Sequence, residues 1–303
     1  MRALPNRVVK PLPQAGLRIS VAVSPSDSQD ACVRIQHRVS LNSTPRVSSE
    51  LAALGVPTSA ENGLASRLIT FIVHEDHPRW PRIAQIIDGG AVDVVTTTFT
   101  EKEICQAAHV LLESTWHHGY PQPEDDFGYL SATYDLSDHC AACGVGARQK
   151  SSFRMEGEPK WGKKSVLQLN WVFDELFATP ELWHTVFEPA GVERLPVLGK
   201  NGEELATVVQ LAVGDQVEIE VSGMPAKHCP TCGRSKYLPA TRGFFPAVLD
   251  EPGSLARTVQ YFGSDGSAFR PIVARQEISR ALAEHKVRGV SVRPLAGQDE
   301  RHS

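Results

Sequence analysis

A chain of 303 residues, 41% hydrophobic and 22% charged, is long enough to bury a core of its own and too apolar for a disordered one. Lys and Arg number 31 against 35 Asp and Glu, a formal charge of −4. That balance excludes a uniformly basic nucleic-acid wrapper and leaves local patches open.

In chain order, residues 1–16 hold three prolines and read as an extended arm, and 17–23 alternate apolar and polar residues as a half-buried strand does. Residues 24–66 are rich in Ser, Thr, Asn and Pro, with one short helical stretch at 48–54. An apolar run at 68–73 suits a buried strand, 80–87 a helix stopped by Gly89-Gly90, and 92–95 a short strand. Thr100 with Glu103 three residues on forms a capping box, which predicts a helix running to about 114. After an aromatic and acidic loop at 116–129 the character changes. Strand at 166–172, one or two short helices at 173–187 ended by Pro189, a hairpin of 205–213 with 216–221, a helix at 275–286 and a strand at 287–292 follow. The expected class is α+β: a mixed N-terminal region, 1–135, followed by a β-rich, zinc-ribbon-like knuckle domain with helical insertions, 136–303.

No apolar run approaches the roughly 20 residues that cross a bilayer, and the N-terminus lacks the apolar core of a secretory signal. A cytoplasmic protein with no membrane partner is the expectation. Six cysteines are too few for a disulfide-dense secreted scaffold, and Cys32 and Cys105, each alone in an apolar-patterned segment, read as buried thiols.

The other four cysteines stand in two copies of one pattern, His139-Cys140-Ala-Ala-Cys143-Gly144 and His228-Cys229-Pro-Thr-Cys232-Gly233. Two residues between cysteines let both sulfurs turn toward one ion, and the following glycine relieves crowding where the backbone folds back. Cys140, Cys143, Cys229 and Cys232 together supply the four thiolates of a closed structural zinc site, with iron as the lesser reading. Cys143 and Cys229 are 85 residues apart. Either one ion is shared across an inserted sub-domain, or each knuckle holds its own. The neighbouring His139 and His228 stay outside the proposed shell.

The doubled CxxCG, the apolar stretch between its copies and the C-terminal helix followed by Val290-Ser-Val-Arg-Pro294 resemble the bacterial double-CxxCG motif family, which includes immunity proteins encoded beside contact-delivered toxins. The resemblance covers 136–295. It implies a metal-stabilised protein that binds and neutralises a protein partner such as a toxin, and it transfers no catalytic residue.

Basic residues gather around both knuckles. Arg148, Lys150, Arg154, Lys160, Lys163 and Lys164, interleaved with Trp161, follow the first; Arg234, Lys236 and Arg242 follow the second. Such a face binds a phosphate backbone or an acidic protein partner, while the plainer reading is that these cations offset the −2 of a four-thiolate zinc centre. A weaker grouping, His117, His118, Tyr120, Asp125 and Asp126, can line a pocket and carries the enzymatic alternative. No Walker A, GxSxG or GxGxxG motif is present, which tilts the reading away from an enzyme.

Overall fold

The computed structural model describes residues 34–42, 44–62 and 67–297. The expected arm at 1–16, the strand at 17–23 and Cys32 lie outside these residues.

The first layer is built from β1 (Arg34–Asn42), α1 (Pro45–Ala53), β2 (Ser59–Asn62), β3 (Arg67–His74), α2 (Trp80–Asp88) and β4 (Val92–Thr98). Strand order is β2-β3-β1-β4 with every pair antiparallel, the β-α-β-β-α-β arrangement of ferredoxin-like layers. Alternation decides which face is covered. Val39, Leu41, Ile69, Phe71 and Val73 point at Leu51, Ile83 and Ile87 of the two helices and make a separate core. Sequence reading missed β1 and β2 in this layer; in β1 the polar His37 takes an inward place beside Val39 and Leu41 and hides the alternation. His37 occupies an inward position, 3% exposed, with its two ring nitrogens 2.8 Å from Asp93 and 2.9 Å from Glu75. Glu75 also accepts from Arg242 at 2.5 Å, and Gly243 donates its backbone N–H to Thr97, so the 240s loop ties this layer to the rest.

The chain continues through α3 (Glu101–Gln106), β5 (His109–Ser114), α4 (Tyr129–Thr133), β6 (Tyr134–Asp135), β7 (Arg148–Gln149), β8 (Arg154–Met155), β9 (Val166–Leu167), β10 (Phe177–Ala178) and α5 (Pro180–Leu182). It then passes β11 (Arg194–Gly199), β12 (Glu204–Leu211), β13 (Asp215–Val217), β14 (Ala226–His228), β15 (Ser235–Tyr237), β16 (Leu255–Thr258), β17 (Ile272–Arg275), α6 (Gln276–Glu284) and β18 (Val290–Pro294). The protein is α+β, as its patterning implied. Two five-stranded sheets, β8-β11-β12-β10-β9 and β13-β16-β17-β5-β18, are accompanied by two isolated hairpins, β6–β7 and β14–β15. No helix among the described residues is long and apolar enough to cross a membrane.

Two expectations fail here for one reason. The capping box at Thr100 forms, with Glu103 bonded back to the Thr100 backbone, yet the helix stops at Gln106 and 109–114 is a strand. Of those six residues all but Glu113 are buried, which a helix with one wet face cannot satisfy; β5 instead pairs with β17 on one side and β18 on the other. Likewise 205–213 and 216–221 form no hairpin: β12 pairs with β10 and β11, while β13 joins β16 in the other sheet. Because β5 belongs with strands from beyond 270, the residues on either side of the expected 135/136 division share one sheet. Cys105, expected to be buried, is exposed on α3.

Candidate metal centre

Each CxxCG segment closes a hairpin. The first lies between β6 and β7, the second between β14 and β15. The two turns are built alike: Cys140 donates its N–H to the Val145 carbonyl and Gly144 to that of Cys140, while Cys229 donates to Arg234 and Gly233 to Cys229. Both glycines take left-handed φ, +80° and +74°, the conformation the return of the chain requires.

The two turns meet. The sulfur of Cys140 is 3.9 Å from that of Cys229, Cys143 is 3.6 Å from Cys232, and all four sulfurs lie within 4.8 Å of one another. A tetrahedral ion with metal–sulfur bonds of about 2.3 Å needs sulfurs about 3.8 Å apart. The donor set therefore fits one four-coordinate ion shared by both knuckles, and the 85 intervening residues hold the whole of the β8-β11-β12-β10-β9 sheet. His139 and His228 lie outside the cluster; His228 faces Ser235 instead.

The surroundings are charged to suit thiolates. Arg234 donates from Nε to the Cys232 sulfur at 3.4 Å and is held there by Asp138 through Nη1 at 3.0 Å and Nη2 at 2.7 Å. This guanidinium, aided by the backbone N–H of Arg234, pulls the Cys232 thiol down to about 6, and backbone N–H groups of Cys232 and Thr231 lower Cys229. Burial acts the other way on Cys143, pushing it up to about 12. An ion binding here displaces the proton from that thiol as well as gathering the others.

Lys236, expected on an exposed basic face, is 3% exposed and corrects that reading. Its ammonium donates to three carbonyls, those of Cys143 at 2.7 Å, Asp265 at 2.6 Å and Ser267 at 2.7 Å, which uses every proton it has. A residue of the second knuckle thereby fastens the first knuckle to the 263–268 turn. Arg234 is likewise engaged at the sulfurs, and Arg242 is paired with Glu75. Arg234 therefore faces a cysteine sulfur directly, whereas Lys236 meets only backbone carbonyls beside the cluster. Arg148 approaches Asp138 at 3.7 Å; Lys150, Arg154, Lys160, Lys163 and Lys164 are exposed and form no ion pair among the described residues.

Sequence reading missed what couples the first hairpin to the core. Gln149 of β7 exchanges two amide hydrogen bonds with the fully buried Gln210, which donates to Glu175, itself paired with Arg257 at 2.6 Å. Burial raises the Glu175 carboxyl to about 7 against the opposing pull of Arg257. A hydrophilic residue scattered among apolar neighbours was the one available signal.

In the 116–129 loop both histidines pack against aromatic rings. His117 turns to Phe173, and burial lowers its basicity. His118 packs on Trp116 at 4.8 Å, its basicity lowered by burial and by Lys164 and Lys160. Tyr120 packs on Trp171 at 4.4 Å, and Phe127, in the turn that also holds Asp125 and Asp126, meets the same ring at 4.7 Å. Comparison of the chain with protein-family models, with curated proteins and with solved structures gave no match.

Proposed function

We propose that the protein is a zinc-stabilised binding protein of the kind the double-CxxCG resemblance implies, acting by holding and neutralising a protein partner such as a toxin. The observation that supports it is the convergence of Cys140, Cys143, Cys229 and Cys232 on one tetrahedral volume, with Arg234 and Lys236 supplying two positive charges beside it. Zinc suits this donor set, and four thiolates leave it no open position for chemistry, so the ion's role is to pin two hairpins. A nucleic-acid reading is weakened by the engagement of Lys236 and Arg234 within the site.

Metal content per chain tests the proposal. One zinc is expected, with no visible colour, and Cys229→Ser is expected to release it and lower the melting temperature. Two ions, none, or a coloured iron centre would overturn the shared zinc site. A partner-binding role predicts a salt-tolerant complex with a single protein; material absorbing near 260 nm that is shed steeply with salt would favour nucleic acid instead.

A further inference from the structure

Three of the five tryptophans, Trp116, Trp161 and Trp171, sit half-buried on the rim of one core cluster, around Phe153, Leu167, Leu169 and Phe177. Ring contacts join them in two sets, which a step of backbone links into a row. Trp161 meets Trp116 edge-on at 5.6 Å, and Trp116 meets His118. Tyr120, two residues on and thus no more than about 7 Å away along the backbone, meets Trp171, and Trp171 meets Phe127, which is 45% exposed. Segments 116–119 and 168–170 are bonded side by side, His118 N–H to the Gln168 carbonyl and Asn170 N–H to that of Gly119, so the two halves of the row share one support.

The ends of this row carry opposite charge. At one end Lys164 lies over the Trp116 ring at 4.5 Å, with Lys160 and Lys163 in the same loop as Trp161. That loop is pinned to β12 by Glu158, which accepts from the Ala206 and Thr207 backbones, and by the Trp161 indole donating to the Thr207 carbonyl. At the other end stand Glu124, Asp125 and Asp126, beside Phe127. All six charged side chains are exposed, and none enters an ion pair among the described residues. Asp126, Phe127 and Trp171 all have left-handed φ, 51°, 55° and 68°, without being glycine. Such backbone is disfavoured for a residue with a Cβ, and here it shapes the Phe127 end of the row.

A row of aromatic rings with three unpaired lysines at one end and three unpaired acids at the other is complementary to itself. A two-fold axis through its middle, near His118 and Tyr120, sets each basic end against the other's acidic end while the tryptophans cover one another. A polyanion would be repelled at the acidic end, and the ring faces that would stack on bases are already engaged with Lys164, His118 and Tyr120. We propose that the strip from Lys160–Lys164 across Trp161, Trp116, Tyr120 and Trp171 to Asp125–Asp126 is a docking surface for a second copy of this chain, forming an isologous homodimer.

Sedimentation velocity of the metal-loaded full chain over a concentration series is the test. The expected result is a reversible approach to twice 33.1 kDa, weakened by added salt. The pairs Lys163→Glu/Lys164→Glu and Asp125→Lys/Asp126→Lys should each weaken self-association by roughly tenfold or more. Mixing the two reversed proteins should restore the dimer, which a merely structural role for these residues does not produce. A wild-type chain that stays monomeric, a dimer indifferent to both reversals, or a mixture that fails to recover would overturn the proposal. Metal content is read separately in the same samples, so failure of the dimer and failure of the zinc site are told apart.

Discussion

The two knuckles have the same sequence pattern and nearly the same glycine φ, yet alanine is expected to be tolerated very unequally in them. At Gly233 an added Cβ meets nothing within 4 Å, so Gly233→Ala costs only the left-handed strain, about 1–2 kcal/mol. At Gly144 the same carbon would lie 2.4 Å from the Gly266 carbonyl oxygen and 2.9 Å from the Ala268 nitrogen, both backbone atoms that cannot rotate away. The 263–268 turn has to move. Its Asp265 and Ser267 carbonyls hold the Lys236 ammonium, and hydrogen bonds to a charged group are worth roughly 1.5–3 kcal/mol each. Losing one of them on top of the strain brings Gly144→Ala to roughly 2.5–5 kcal/mol. Urea unfolding of the metal-loaded proteins at neutral pH measures both costs, and chelator competition measures metal retention alongside. Equal costs for the two variants, or a larger one at Gly233, would refute the argument that the turn packs against the first knuckle.

Lys236→Met keeps the length of the side chain and removes its three donors, leaving three carbonyls without their partner; a loss of roughly 3 kcal/mol or more is expected by urea titration, and an unchanged midpoint would contradict it. Glu175 gives a pH prediction. Its folded carboxyl titrates at about 7 against an unfolded 4.5, so between these values the folded state binds more protons and stability falls as pH rises, with no further change below or above the window. Relative to wild type, Glu175→Gln should flatten that slope by up to roughly 3 kcal/mol across the window; a wild-type-minus-variant difference that does not vary with pH would refute it.

Some of this architecture was readable from residue order. The helices at α1, α2 and α6 and the strands β3 and β4 follow from periodicity within a single segment, and the capping box at Thr100 forms where its residues stand. What failed was any inference that needed a partner. The run 109–114 has no pattern of its own to mark it as a strand; β17 and β18 make it one by pairing on both edges. His37, an unpromising residue for a strand interior, is accepted there because Asp93 and Glu75 meet both of its nitrogens.

The doubled CxxCG determined by itself which atoms can hold a metal, since two-residue spacing and a left-handed glycine are local requirements. Whether there is one site or two was not local. It depended on the chain between the hairpins folding until sulfurs 89 positions apart came within 3.6–3.9 Å. The same holds for charge. Sequence counted Lys236 with the other basic residues, but an ammonium is a docking group only while its protons are free. The fold gave all three to carbonyls, and left Lys160, Lys163 and Lys164 on the surface.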